Sequence, residues 1–184
     1  MADVQYSGLI EQGLWDDLVM PAISVNPTGI TSAATAITDA AGWLGCWLFV
    51  NTGTPTVVFQ FQLSHGTRLG VDLRPHIHWV KDSVTDVTGT VVWEANFRHC
   101  PLNGVASAWT GFSAGTLVLD PGDTRNKGAL TAWALADATY HFGISDIIEM
   151  VIQRNGGTSG DAVILSGDIH YQIDRVGSRN EASL

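Results

Sequence analysis

In Gly70-Val71-Asp72-Leu73-Arg74-Pro75-His76-Ile77-His78-Trp79, two kinds of side chain alternate toward the end of the run. Successive residues of a β-strand point to opposite faces, so a strand here sets Ile77 and Trp79 on one side and His76 and His78 on the other. One apolar and one polar face is the pattern of a strand that covers a core on one side only. The alternation recurs on both sides of this segment. Across 56–63, Val57, Phe59, Phe61 and Leu63 share a face opposite Gln60 and Gln62. Across 90–98, Val91, Trp93, Ala95 and Phe97 oppose Val92, Glu94, Asn96 and Arg98. The segment 147–153 alternates again and breaks at Asn155-Gly156-Gly157. Residues 162–176 have room for two strands with a kink or bulge at Gly167, and set Ile169, Tyr171 and Ile173 against Asp168, His170, Gln172 and Asp174. A short strand at 116–119 ends in the turn Asp120-Pro121-Gly122-Asp123. Residues 127–138 read as a loop with a helical turn. About eight strands, few helices and Gly-rich turns predict an all-β fold, an antiparallel two-sheet sandwich of jelly-roll type over residues 41–184.

Residues 1–40 differ from the rest: 1–18 admit a short helix or an extended arm, and 20–39 are rich in Pro, Thr, Ser, Ala and Gly with no sustained apolar period. They read as an N-terminal arm or long loop that lies on a neighbouring surface or hangs free. The chain has 184 residues, 45% of them hydrophobic, with seven Trp, six Phe and three Tyr, which suffices for one sizeable core. The net charge is −9, and Lys81 and Lys127 are the only lysines. A phosphate-backbone binder needs clustered cations, so nucleic acid is not an expected partner, nor is an anionic membrane. Cys46 lies in the apolar run Trp43-Leu44-Gly45-Cys46-Trp47-Leu48-Phe49-Val50 and reads as a buried free thiol, with a disulfide to Cys100 as the alternative. No signal peptide and no membrane-length apolar run are visible, so assembly in a cytoplasm is expected.

The histidine pair admits two readings. Gly70, His76, His78, Asp82 and Gly89 have the spacing of the first cupin motif, with Asp where cupins carry Glu. That similarity implies a divalent metal on His76, His78 and Asp82. The second cupin motif fails, because no histidine follows Pro121-Gly122 until His141. The other reading is a polar cluster of His65, His76, His78 and His170, in the core or along an oligomer axis, sensitive to pH because imidazole titrates near neutrality. His99 and His141 stand alone and read as structural residues. Gly111-Phe112-Ser113-Ala114-Gly115 has the letters of a nucleophile elbow, but a strand and not a helix is expected after it. The acidic pairs Asp16-Asp17, Asp82/Asp86 and Asp120/Asp123 match no dedicated calcium loop. Trp109 and Trp133, in loop-like surroundings, are candidates for an exposed carbohydrate platform.

Leu63-Ser64-His65 leading through 66–73 into Arg74-Pro75-His76-Ile77-His78-Trp79, the segment Gly167-Asp168-Ile169-His170-Tyr171-Gln172-Ile173-Asp174-Arg175-Val176-Gly177-Ser178-Arg179, and the earlier Trp15-Asp16-Asp17-Leu18 resemble, in collinear order, a family of small structural proteins of tailed bacteriophages. The resemblance implies a virion component, without fixing its place on the particle; no enzymatic activity and no cofactor are expected. A capsid decoration or cement protein is the expectation: a homo-oligomer, most simply a jelly-roll homotrimer, bound to the major capsid protein and stabilising the particle. A tail- or neck-associated adaptor is the alternative. In this reading Trp15, Asp16, Asp17 and Leu18 contact the capsid, and His65, His76, His78 and His170 hold the subunit or its axis.

Overall fold

The alternating segments are strands of two packed sheets. The computed structural model describes residues 14–21, 35–38, 44–50, 54–81, 90–117, 128–157 and 160–173. Its strands are β1 (Leu14–Pro21), β2 (Thr35–Thr38), β3 (Leu44–Phe49), β4 (Thr56–Gln62), β5 (Arg74–Lys81), β6 (Val91–Cys100), β7 (Ser113–Ala114), β8 (Thr116–Leu117), β9 (Gly128–Ala132), β10 (Ile147–Gly157) and β11 (Ala162–Ile173). One short helix, α1 (Asp137–Tyr140), follows β9. The larger sheet runs β2-β3-β11-β5-β9-β8, with β1 also paired to β11; the smaller runs β4-β10-β6-β7. Every pairing is antiparallel. The all-β double-sheet fold expected from the alternation is therefore the fold of the protein. No helix of the described residues is long and apolar enough to cross a membrane.

The core lies between the sheets. Val57, Phe59 and Phe61 of β4, Ile148, Met150 and Ile152 of β10, and Trp93 and Phe97 of β6 meet Ile77 and Trp79 of β5 and Ile169 and Tyr171 of β11. Trp93 takes Phe49 edge-on at 5.0 Å and Trp79 at 5.7 Å between ring centroids, arrangements that aromatic quadrupoles favour. The Trp79 indole N–H donates to Thr131 Oγ1 at 3.0 Å, so this fully buried ring leaves no donor unpaired. Cys46 is buried, packed with Val80 and Val163 in a second, smaller cluster, and neither it nor Cys100 forms a disulfide. Burial pushes the Cys46 thiol pKa up, the behaviour of an inert hydrophobe.

Four segments differ from the sequence expectation. The first concerns residues 1–40, expected to be an arm or long loop. Residues 14–21 form β1, in continuous register with β11 from Leu14↔Ile173 to Pro21↔Ser166, and 35–38 form β2; the rest of 1–40 lies outside the described residues. Residues 127–138 contain strand β9, because Ala129 to Ala132 pair with β5 and Thr131 and Trp133 turn inward; tertiary pairing overrides the helical bias of alanine. Strand β10 runs on through Asn155-Gly156-Gly157 to Gly157, with a register shift after Arg154. A Cβ at Gly157 would sit 2.1 Å from the Thr90 carbonyl oxygen, and its φ of +108° suits only glycine, so this glycine permits a close backbone approach. Finally, β11 is one strand and not two, and its irregularity lies between Ile164 and Ser166. Gly167 serves packing instead: a Cβ there would meet the Phe59 ring at 2.8 Å.

Candidate functional site

The bulge at Leu165 builds the site. Ala162 and Ile164 point into the core, and so do Ile169 and Tyr171, although the two pairs differ in parity along the strand. Ile164 lies opposite Trp79 and Ser166 opposite His78, so one extra residue of β11 is absorbed between them. An extra residue inverts the facing of everything beyond it. Asp168 and His170 are thereby carried to the outer face of the larger sheet, Asp168 directly across from His76 and His170 across from Arg74.

On that face the two β5 imidazoles converge on one carboxylate. His76 Nε2 lies 3.3 Å and His78 Nε2 2.9 Å from Asp168 Oδ2. His76 is 3% exposed and Asp168 5%, whereas the His78 side chain is 45% exposed, so the cluster is buried at its base and open at its rim. Asp168 Oδ1 is buried without a hydrogen-bond partner. The His76 ring packs edge-on against His78 at 5.0 Å and against His170 at 4.3 Å. His170 Nε2 reaches Asp17 Oδ1 of β1 at 2.8 Å, a largely exposed pair that adds little stability. The Arg74 guanidinium lies 5.0 Å over the Trp15 ring. A cleft of about 840 Å³ opens beside the cluster, walled by Arg74, His76, His170, Ala132, Ser113 and Tyr140 among others.

Three residues of the expected histidine cluster, His76, His78 and His170, come together. His65 does not join them through any described contact; its Nε2 meets Ser145 Oγ at 2.9 Å. Asp82 lies outside the described residues. Of the expected capsid-contact residues, Trp15 and Asp17 are on the outer face. Leu18 turns the other way and packs half-buried against the core, and Asp16 Oδ2 accepts the Tyr171 hydroxyl at 3.0 Å. Trp133 is only 9% exposed and donates its N–H to the Ser113 carbonyl, so it is not a carbohydrate platform. Trp109 is exposed, but Arg98 lies 4.8 Å over its ring. Ser113 of the elbow-like letters is followed by strand β8 and not by a helix. His99, read as solitary, is buried against Asp146 Oδ2 at 2.7 Å.

The two inner histidines titrate in opposite senses. Burial opposes charge on His76, but hydrogen bonds to Asp168 and the Arg74 carbonyl and the negative fields of Asp168 and Asp17 outweigh it and raise the pKa. Burial lowers the pKa of His170, with the positive field of His76 assisting, and Asp17 and Asp168 only partly restore it. A raised pKa gives stability that is complete below the ordinary value of about 6.5 and is lost as pH rises through the folded value. A lowered one gives stability that is lost as pH falls below that same ordinary value. In chelator-treated protein, the stability advantage of wild type over His76→Asn is therefore expected to shrink from roughly pH 6 to pH 8. His170→Gln, which removes the opposing group, is expected to steepen that trend. Urea melts at both pH values check this; an advantage that grows with pH contradicts it.

No protein family and no curated protein matches the sequence. Among solved structures, the fold is similar to the xylan-binding module CBM15 at 14% identity and TM-score 0.43, over 89% of this chain and 99% of the module. It is similar to the enzymatically active domain of tailspike protein 4 of bacteriophage CBA120 at 11% identity and TM-score 0.41, over 86% of this chain and 19% of that one. It is similar to a chain of infectious bursal disease virus Gx strain at 15% identity and TM-score 0.38, over 91% of this chain and 33% of that one. The chain spans about a fifth of the tailspike chain and about a third of the virus chain. These likenesses are of β-rich architecture alone.

Proposed function

We propose that the chain is a structural protein of a tailed-phage virion, a capsid decoration protein that self-associates and binds the major capsid protein after assembly in the host cytoplasm. The observation that carries this reading is a set of apolar side chains held at the surface by ordered strands and a pinned loop. On β1, Leu14, Trp15 and Val19 are 56%, 45% and 58% exposed, although the strand is paired along its length with β11. On the loop from β6 to β7, Leu102, Val105, Trp109 and Phe112 are 44%, 91%, 40% and 43% exposed. That loop is tied down: Ser107 N–H donates to the His99 carbonyl, Thr110 N–H to the Phe97 carbonyl, and Gly111 N–H to Asn96 Oδ1. Large apolar groups presented by pre-organised backbone lose little entropy on docking and are the mark of protein–protein contact. The collinear likeness of the Trp15, His76 and Asp168 segments to phage structural proteins supports the virion setting. A decoration protein acts by linkage: binding across capsomers favours the closed shell by mass action.

Mass spectrometry of separated heads and tails tests the placement, with the chain expected in the head fraction; recovery with tails alone replaces the decoration role by that of a tail or neck adaptor. Sedimentation of the purified chain tests self-association, with a trimer expected. Trp15→Ala combined with Val19→Ser removes only exposed side chains and is expected to weaken that association at least tenfold while the circular dichroism stays unchanged. A wild-type chain that is monomeric and absent from both fractions overturns the reading.

A further inference from the structure

We propose that His76, His78 and Asp168 form a site for one divalent transition-metal ion of the zinc class. The three donor atoms, two imidazole nitrogens and a carboxylate oxygen, lie within 4.8 Å of one another. A tetrahedral ion with ligands at about 2.0–2.1 Å sets its donors about 3.3 Å apart. The two nitrogen-to-oxygen spacings, 3.3 Å and 2.9 Å, already stand near that value, and the two imidazole nitrogens, within 4.8 Å of each other, close toward it as the half-exposed His78 ring turns onto the ion.

The surroundings are those of a metal ligand set. His76 Nδ1 faces the Arg74 carbonyl oxygen at 3.4 Å, an acceptor for an Nδ1 proton, so an ion that displaces the Nε2 proton now shared with Asp168 finds the ring held to ligate through Nε2. Asp168 Oδ1, buried and without a hydrogen-bond partner, is a second oxygen that an ion within reach satisfies. Both strands that carry ligands are internal to the larger sheet, so the donors sit on rigid elements. Two imidazoles and one carboxylate suit zinc, nickel or iron(II), and not magnesium or calcium, which take all-oxygen sets. Three protein ligands leave a coordination position open, and the half-exposed rim at His78 and the cleft bordering His76 give water access to it. Among the described residues the acid comes from β11, opposite His76.

The inference stands apart from the virion reading, and its test does not involve particles. Full-length protein stripped with chelator and dialysed against ZnCl₂ is expected to retain about one zinc per chain, undiminished by excess magnesium, and to melt at a higher temperature than the stripped form. His78→Ala, at the exposed rim, and Asp168→Asn are each expected to weaken zinc binding at least tenfold. Asp82→Ala and His65→Ala are expected to leave it unchanged. Because His78 is half exposed, His78→Ala keeps the test decisive should the Asp168 variant fail to fold. Less than a tenth of an equivalent of zinc, unchanged affinity in folded His78→Ala, or loss of binding in Asp82→Ala overturns the proposal.

Discussion

Asp146→Ala is expected to destabilise the protein by about 3–5 kcal/mol, seen as a fall in melting temperature of roughly 8–15 °C for a domain of this size. Asp146 is 3% exposed and precedes β10 directly. Its Oδ2 lies 2.7 Å from His99 Nε2 and accepts the Gly143 N–H at 2.6 Å, while Oδ1 accepts the Leu102 N–H at 2.8 Å. One carboxylate therefore ties the end of β6, the loop after it and the turn before β10. Truncation leaves two backbone donors and a buried imidazole without their acceptor, and each such orphan costs about 1–3 kcal/mol. An asparagine at this position keeps the size but supplies one acceptor oxygen where two were used, so Asp146→Asn is expected to lose about half as much. Because Leu102 begins the loop that carries Val105, Trp109 and Phe112, both variants are also expected to speed amide exchange across 102–112. A melt within about 1 kcal/mol of wild type contradicts the assigned role.

That anchor was not legible in the sequence, and the reason is register. The pairing Ile148↔His99 brings residues nearly fifty positions apart side by side, and no local pattern announces it. The strands that were legible share one property, an apolar face opposite a polar one: β4 and β6 alternate in burial as well, while β5 and the second half of β11 alternate in side-chain chemistry although His76 and Asp168 on the polar face are buried. Strand β1 escaped because both of its faces are mixed. Leu14, Asp16, Leu18 and Met20 turn one way and Trp15, Asp17 and Val19 the other, and the pairing with β11 across the whole chain decides its conformation. Strand β9 escaped because Gly128-Ala129-Leu130-Thr131-Ala132 has weak strand propensity and gains its place from β5.

The site divides in the same way. Two histidines one residue apart on a strand must share a face, so the His76–His78 pair follows from β5 alone. The acid does not, because its position depends on which residue of β11 lies opposite. With the bulge at Gly167 instead of Leu165, the count of residues facing out would change, and Asp168 would have no assured place on the histidine face. A sequence motif therefore pointed to Asp82, four residues beyond His78 and outside the described residues, and gave no signal for Asp168, which the adjacent strand brings to the pair. His170 was legible as a cluster member through its alternation with Asp168, and His65 was not separable from it without the hydrogen bond to Ser145.

Arg154→Ala is expected to cost about 3–5 kcal/mol, for reasons that differ from those at Asp146. Arg154 is 1% exposed and sits at the register shift of β10, in the smaller sheet. Its Nη1 donates to the carbonyl oxygen of Phe49, the last residue of β3 in the larger sheet, at 2.9 Å. The Nε–H points to the Gly156 carbonyl at 3.4 Å, holding the bulge it sits on. Burial pulls the guanidinium pKa down and the field of Asp161 pulls it back up, yet the group stays charged at neutral pH. Alanine leaves a void the size of a long side chain and, on Phe49, an acceptor that its methyl group cannot satisfy. Arg154→Met separates volume from polarity: it refills most of the volume and removes the carbonyl contacts together with the charge that Asp161 faces, so a cost of about 1–3 kcal/mol is expected. Arg154→Lys keeps the charge but replaces a planar fork by one strongly hydrated ammonium, and is expected to fall between Met and Ala. Should Met prove as costly as Ala in urea melts, volume is not what Arg154 contributes, and its polar contacts, the bond from β10 across to β3 among them, are what hold this end of the two sheets together.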